Sequence, residues 1–215
     1  TIGITDSGIG VISDEGGRFC ITIPDSLAYE TLTVSHVSYQ PTYIPLTDMD
    51  SFRDDDGNVV FRLEPREHMI ADVNVYAKKG KLKKLSGRGT RIPVAVGMFE
   101  NEKQGRETGT LIDVEKTFLI NSIEFTVLSN STEGIVMRVN IYSVEDEKLT
   151  NILYYPIYVT LDRSGDKVDY LIEPEEAIVL GNGSYYVSLQ FVSTPGGNTA
   201  AFPIYKKKSY ARNGV

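Results

Sequence analysis

The chain has 215 residues, a formal net charge of −7 and an apolar fraction of 41%. That length holds one large domain or two small ones, with enough apolar material for a packed core. The acidic balance argues against a protein whose affinity comes from neutralising nucleic-acid phosphates, no run of about 18 apolar residues is present to span a membrane, and a single cysteine, Cys20, excludes an internal disulfide.

Tyr occurs 13 times and Trp not at all. Val, Ile, Thr and Tyr recur in short runs, which favours strands. Residues 1–76 read as a first unit. "TIGITDSGIGVISD" predicts a strand, a turn and a second strand, and "EGG" supplies residues that tolerate positive φ. "RFCITIP" alternates, with Phe19, Ile21 and Ile23 on one face and Arg18, Cys20 and Thr22 on the other. "TLTVSHVSY" continues the pattern, with Leu32, Val34 and His36 on one side. "TYIPL" and "NVVFRLEP" are further strands separated by the polar loop "TDMDSFRDDDGN", and "MIADVNVYA" closes the unit.

Residues 77–110 change character. "KKGKLKKLSGRG" is basic and glycine-rich, which suits a linker. Within this stretch "TRIPVAVG" can pair as an edge strand, where Pro93 is tolerated. Residues 111–215 form a second strand-rich unit with a tail. Its runs are "TFLINSIEFTVLS", "IVMRVNIYSV", "ILYYPIYVTLD", "VDYLIEP", "AIVL" and "SYYVSLQFV", divided by polar and glycine-bearing turns. Many short strands with regular turn signals predict a sandwich or jelly roll. Part of the tail is expected to pair along an edge.

The stretch "GIGVISDEGGRFCITIP", followed by "LTVSHVSYQPTYIPL" and "VVFRLEP…MIADVNVYA", resembles the carboxypeptidase-regulatory-like domain, a small transthyretin-like β-sandwich. The resemblance covers about residues 3–76. It implies that residues 14–17 are a hairpin connection and that Phe19 starts a core-facing strand. Two departures stand out: the family's first strand would precede Thr1, and its Gly before Tyr39 is Ser38 here. The resemblance implies an accessory module without catalytic residues, set in the periplasm or on the surface of a Gram-negative bacterium, with a signal peptide already removed. The second unit is similar, more loosely, to jelly-roll-like domains of bacterial surface proteins. The expected fold is therefore all-β: a transthyretin- or immunoglobulin-like sandwich, then a jelly-roll-like sandwich.

Chemistry-bearing residues are few. His36, His68 and Cys20 lie in or beside strands and do not announce a nucleophilic site. Asp48, Asp50, Asp54, Asp55, Asp56 and Asn58 could offer oxygen ligands, but counting from Asp54 the sixth residue is Val59, not the Gly of a calcium loop, so a solvated acidic turn ending in Gly57 is the better account. No catalytic residue, metal site or cofactor is expected. The basic stretch 78–84 invites an anionic partner but reads more simply as a solvated linker.

The remaining candidate is a sheet face. Alternation sends Met137, Val139 and Ile141 inward and leaves Arg138, Asn140 and Tyr142 outward. It sends Leu153, Tyr155, Ile157 and Val159 inward and leaves Tyr154 and Tyr158 outward. Tyr185, Val187, Leu189 and Phe191 go inward, leaving Tyr186 and Gln190 outward. Aromatic planes beside amides and a guanidinium suit sugar recognition. Covering about 150 Å² of apolar area contributes roughly 4 kcal/mol, a millimolar single site before binding costs. The competing account is a set of cross-strand tyrosine pairs on a wet sheet. The leading expectation is a non-catalytic envelope protein acting in binding or assembly, its partner a glycan or an envelope protein. The alternative is a carbohydrate-binding module using Arg138, Asn140, Tyr142, Tyr154, Tyr158, Tyr186 and Gln190.

Overall fold

A computed structural model describes residues 1–5, 7–14, 16–66, 82–85, 93–99, 105–146, 148–195, 200–205 and 209–212. It is all-β. In the first unit β1 (Ile2–Ile4), β2 (Ile9–Val11), β3 (Thr31–Val34) and β4 (Thr42–Pro45) form an antiparallel sheet in the order β2-β1-β3-β4. Ser7 closes the first hairpin: its hydroxyl donates to the Ile4 carbonyl at 2.7 Å and accepts from the Ile9 amide at 3.0 Å. Every second side chain points inward, so Ile2, Ile4, Leu32, Val34 and Ile44 make a buried core. Two 3-10 turns, Asp25–Leu27 and Leu46–Phe52, lie between the extended pieces.

The acidic glycine turn is held locally. The Asp14 carboxylate accepts the Arg18 amide at 2.8 Å and its Nε at 3.0 Å, and the Asp14 amide donates to the Arg18 carbonyl at 2.9 Å. Gly17 sits at φ +77°, a conformation that disfavours a β-carbon. The following residues 18–24 alternate, with Phe19, Ile21 and Ile23 half-buried and Arg18, Cys20 and Thr22 exposed. Residues 58–64 alternate in the same way, with Val59, Phe61 and Leu63 inward. Phe19 and Phe61 stack at 5.7 Å, and both pack on the first core. Yet residues 19–23 and 61–63 join no hydrogen-bonded ladder among the described residues. In "NVVFRLEP" the ends are paired, Val59 bridging Arg53 and Pro65 bridging Tyr39, so only residues 19–23 and 61–63 lie without ladder partners among the described residues. "MIADVNVYA" lies outside the described residues.

The second unit contains β5 (Pro93–Phe99), β6 (Glu107–Val114), β7 (Phe118–Ile120), β8 (Ile123–Asn130), β9 (Ile135–Glu145), β10 (Lys148–Asn151), β11 (Ile157–Leu161), β12 (Gly165–Ile172), β13 (Ile178–Leu180), β14 (Gly183–Ser193), β15 (Ala200–Tyr205) and β16 (Ser209–Arg212). One sheet runs β10-β9-β14-β6-β16, with β11 also on β9; a second runs β12-β8-β15-β5; β13 pairs β7. The two larger sheets enclose one apolar core that includes Val127, Ile135, Met137, Ile141, Leu161 and Phe191.

Several boundaries differ from expectation. β5 stands at a sheet edge, starting at Pro93, but β6 begins at Glu107, inside the stretch read as linker. Leu85 packs against the second core, so that stretch is partly docked. "ILYYPIYVTLD" is not one strand. The Asn151 side chain accepts the Leu153 amide at 3.0 Å, the chain bends, and β11 starts only after Pro156. Tyr155, expected in the core, is consequently 49% exposed. The tail does more than pair along an edge, because β15 lies between β8 and β5.

Gly109 on β6 has no room for a side chain: a β-carbon there would sit 2.3 Å from the Val187 carbonyl oxygen and 2.7 Å from Ser188 Cα. Gly109→Ala is expected to lower unfolding free energy by about 1–3 kcal/mol through overpacking against fixed backbone. Urea denaturation of the two proteins measures it, and equal midpoints would contradict this close approach.

Candidate functional site

The alternation along β9 and β14 places Arg138, Asn140, Tyr142, Tyr186 and Gln190 on one face. Arg138 lies opposite Gln190, Asn140 opposite Ser188 and Tyr142 opposite Tyr186. That face is not open. Asn140 is 0% exposed, Gln190 2%, Tyr186 4%, and Arg138 and Tyr142 7% each. The expectation of an accessible sugar-binding face on these five residues is corrected on this point. Three of the polar groups on this closed face converge on Glu107 of the neighbouring strand β6. Its carboxylate, itself buried, accepts from Tyr142 Oη at 2.8 Å, Ser188 Oγ at 2.8 Å and Asn140 Nδ2 at 3.2 Å. Gln190 donates from Nε2 to the Gly105 carbonyl at 2.9 Å, and Tyr142 stacks on Tyr186 at 6.0 Å. Asn140, Tyr142 and Gln190 thus spend their donors inside the protein, and Arg138 is buried with them. Glu107 escaped the sequence reading because it falls in the supposed linker.

Tyr154 and Tyr158 do remain exposed, at 40% and 50%. They do not share a site. Tyr158 lies on β11, opposite Arg138 on β9. Tyr154 lies in the bend before β11 and belongs to a cleft of about 230 Å³ between the two units, lined by Ser38, Tyr39, Pro65, Arg66, Tyr154 and Tyr155. Ser38 Oγ donates to the Tyr154 carbonyl at 2.7 Å, which ties the units together. Residues 64–66 are held against residues 38–40 by two backbone bonds, Gln40 N to Glu64 O at 2.8 Å and Arg66 N to Ser38 O at 2.9 Å. This places the Arg66 guanidinium 5.9 Å from the Tyr154 ring centroid.

His36 borders the same junction. Its ring meets Tyr39 edge-on at 5.2 Å, and its Nδ1 accepts the Ser38 amide at 3.2 Å. Burial, followed by the positive charges of the Thr1 nitrogen and Arg138, holds its pKa below the ordinary histidine value. Arg138 is buried nearby, its Nη2 3.5 Å from Thr1 Oγ1 and its Nε without a partner.

The other candidates resolve simply. Asp54 turns its carboxylate on its own loop, accepting the amides of Asp56 at 3.1 Å and Asn58 at 2.8 Å. Cys20 is exposed, and His68 lies outside the described residues. Of the basic stretch 78–84, only residues 82–84 are described. Lys83 lies over the Phe118 ring at 5.5 Å and Lys84 pairs with Glu124 at 2.6 Å. A second cleft, of about 390 Å³, opens between the two larger sheets, and core side chains such as Ile112, Val139, Ile141, Leu180 and Leu189 line it. It is a continuation of the core. No protein-family model, curated protein or solved structure matches this chain.

Two measurements probe these arrangements. Glu107→Ala strands three buried donors and is expected to cost about 2–4 kcal/mol of stability in urea unfolding; a loss below about 1 kcal/mol would contradict the network. Because the folded pKa of His36 is lowered, the unfolded chain binds its proton first as pH falls. The His36 contribution is therefore complete above the ordinary pKa of about 6.5, declines as pH drops through it, and levels off below the folded value. His36→Gln should flatten that part of the stability–pH curve, and parallel curves for both proteins would refute the assignment.

Proposed function

We propose that this chain is a non-catalytic module of the bacterial cell envelope that acts in binding or assembly. The observation that carries the reading is the second layer of the first unit. Residues 18–24 and 58–64 alternate between half-buried and exposed side chains, the half-buried ones seated on a formed core, yet residues 19–23 and 61–63 lack ladder partners among the described residues. Unpaired strand backbone is a template for another strand. The partner in this reading is an extended segment with apolar side chains at alternate positions, which would extend the alternation already present. The resemblance of residues 3–76 to carboxypeptidase-regulatory-like domains supports an accessory role and an envelope setting. A carbohydrate-binding role keeps one observation in its favour: Tyr154 stays exposed, beside Tyr39 and Tyr155.

Hydrogen exchange tests the reading. In the purified monomer the amides of residues 19–23 and 61–63 should exchange quickly, and envelope extract should slow them by roughly tenfold or more. Thr22→Pro, which removes a backbone donor at an exposed side-chain position, should abolish that protection. Slow exchange of these amides in the isolated monomer would overturn strand addition.

A further inference from the structure

We infer that the cleft between the two units binds an anionic sugar, a single pyranose ring carrying a carboxylate. This rests on the carbohydrate reading and deepens it, moving the site from the buried sheet face to the junction. Three exposed phenol rings, Tyr39, Tyr154 and Tyr155, meet there on two different chain segments. Their exposed ring surface offers apolar area to the C–H face of a sugar, and the Tyr39 hydroxyl offers a hydrogen bond to a sugar oxygen.

Arg66 supplies the charge selection. Its guanidinium lies over the Tyr154 ring, and among the described residues no carboxylate pairs with it. A guanidinium without a carboxylate of its own presents paired N–H donors that match the two oxygens of a ligand carboxylate. Arg138 is buried at the same junction, again with no carboxylate partner among the described residues. The cleft of about 230 Å³ is smaller than the pockets of about 300–1,000 Å³ that enclose drug-sized ligands. One sugar ring suits that space better than a peptide.

The test is an amide NMR titration of the full chain with methyl glucuronide, methyl glucoside and acetate, for the parent, Arg66→Gln and Tyr155→Leu. The expected result is a saturable shift of residues 38, 39, 154 and 155 with methyl glucuronide, at a Kd of ~1–10 mM. The glucoside and acetate should each bind roughly tenfold more weakly or worse. Arg66→Gln should abolish the preference for glucuronide over glucoside while leaving the rest of the spectrum unchanged. Tyr155→Leu should weaken both sugars and leave acetate alone. Equal response to the two sugars, acetate as strong as glucuronide, shifts centred elsewhere, or none by about 50 mM would each overturn the proposal. Exchange rates at residues 19–23 read strand addition separately, so a failed titration leaves that reading standing.

Discussion

Burial of both faces of the β9–β14 pair is the constraint on which the second unit depends. Most strands of a sandwich face a core on one side and water on the other. Here Met137, Val139, Ile141 and Phe191 fill the core side, and the opposite side is also closed. A closed face of polar side chains is stable only if each finds a partner. The Glu107 carboxylate supplies three acceptor contacts across three strands, and Gly109 lets β6 come close enough to make them. This polar layer fixes the register of β9, β14 and β6, because a slip of one residue would turn it toward the core.

The first unit is built on a thinner margin. Its fully buried core is five aliphatic side chains on a four-stranded sheet. The opposing layer contributes Phe19, Ile21, Ile23, Phe61 and Leu63, all only half-buried. Small cores of this kind gain stability steeply from additional apolar coverage. The contact with the second unit through Ser38, Tyr154 and Arg66 is local and partly polar, so the two cores remain separate clusters.

What was legible in the sequence was local. The connection at residues 14–17 is closed by bonds between residues four apart, so its composition reveals it. The two-residue period at 137–142 correctly sorts side chains onto two faces. What lies over each face is decided by residues far along the chain, and period alone carries no such information. Glu107 meets Ser188 across 81 positions, which no window could link. Alternation sends Tyr155 inward only along a continuous strand, and Asn151 and Pro156 interrupt the run. The junction cleft was illegible for the same reason: Ser38 and the Tyr154 carbonyl are 116 residues apart.

The placement of β15 has a consequence for the order of synthesis. This strand, Ala200–Tyr205, fills the middle of its sheet, between β8 and β5. On the ribosome β5 and β8 emerge long before the strand that joins them. Their facing edges stay unsatisfied until about residue 205 has cleared the exit tunnel, so the second sandwich closes late and all at once. Non-local closure of this kind is slow, and the waiting strands are prone to aberrant pairing. The sheet of the first unit is complete by Pro45 and its second layer by Leu63, so it has no such delay.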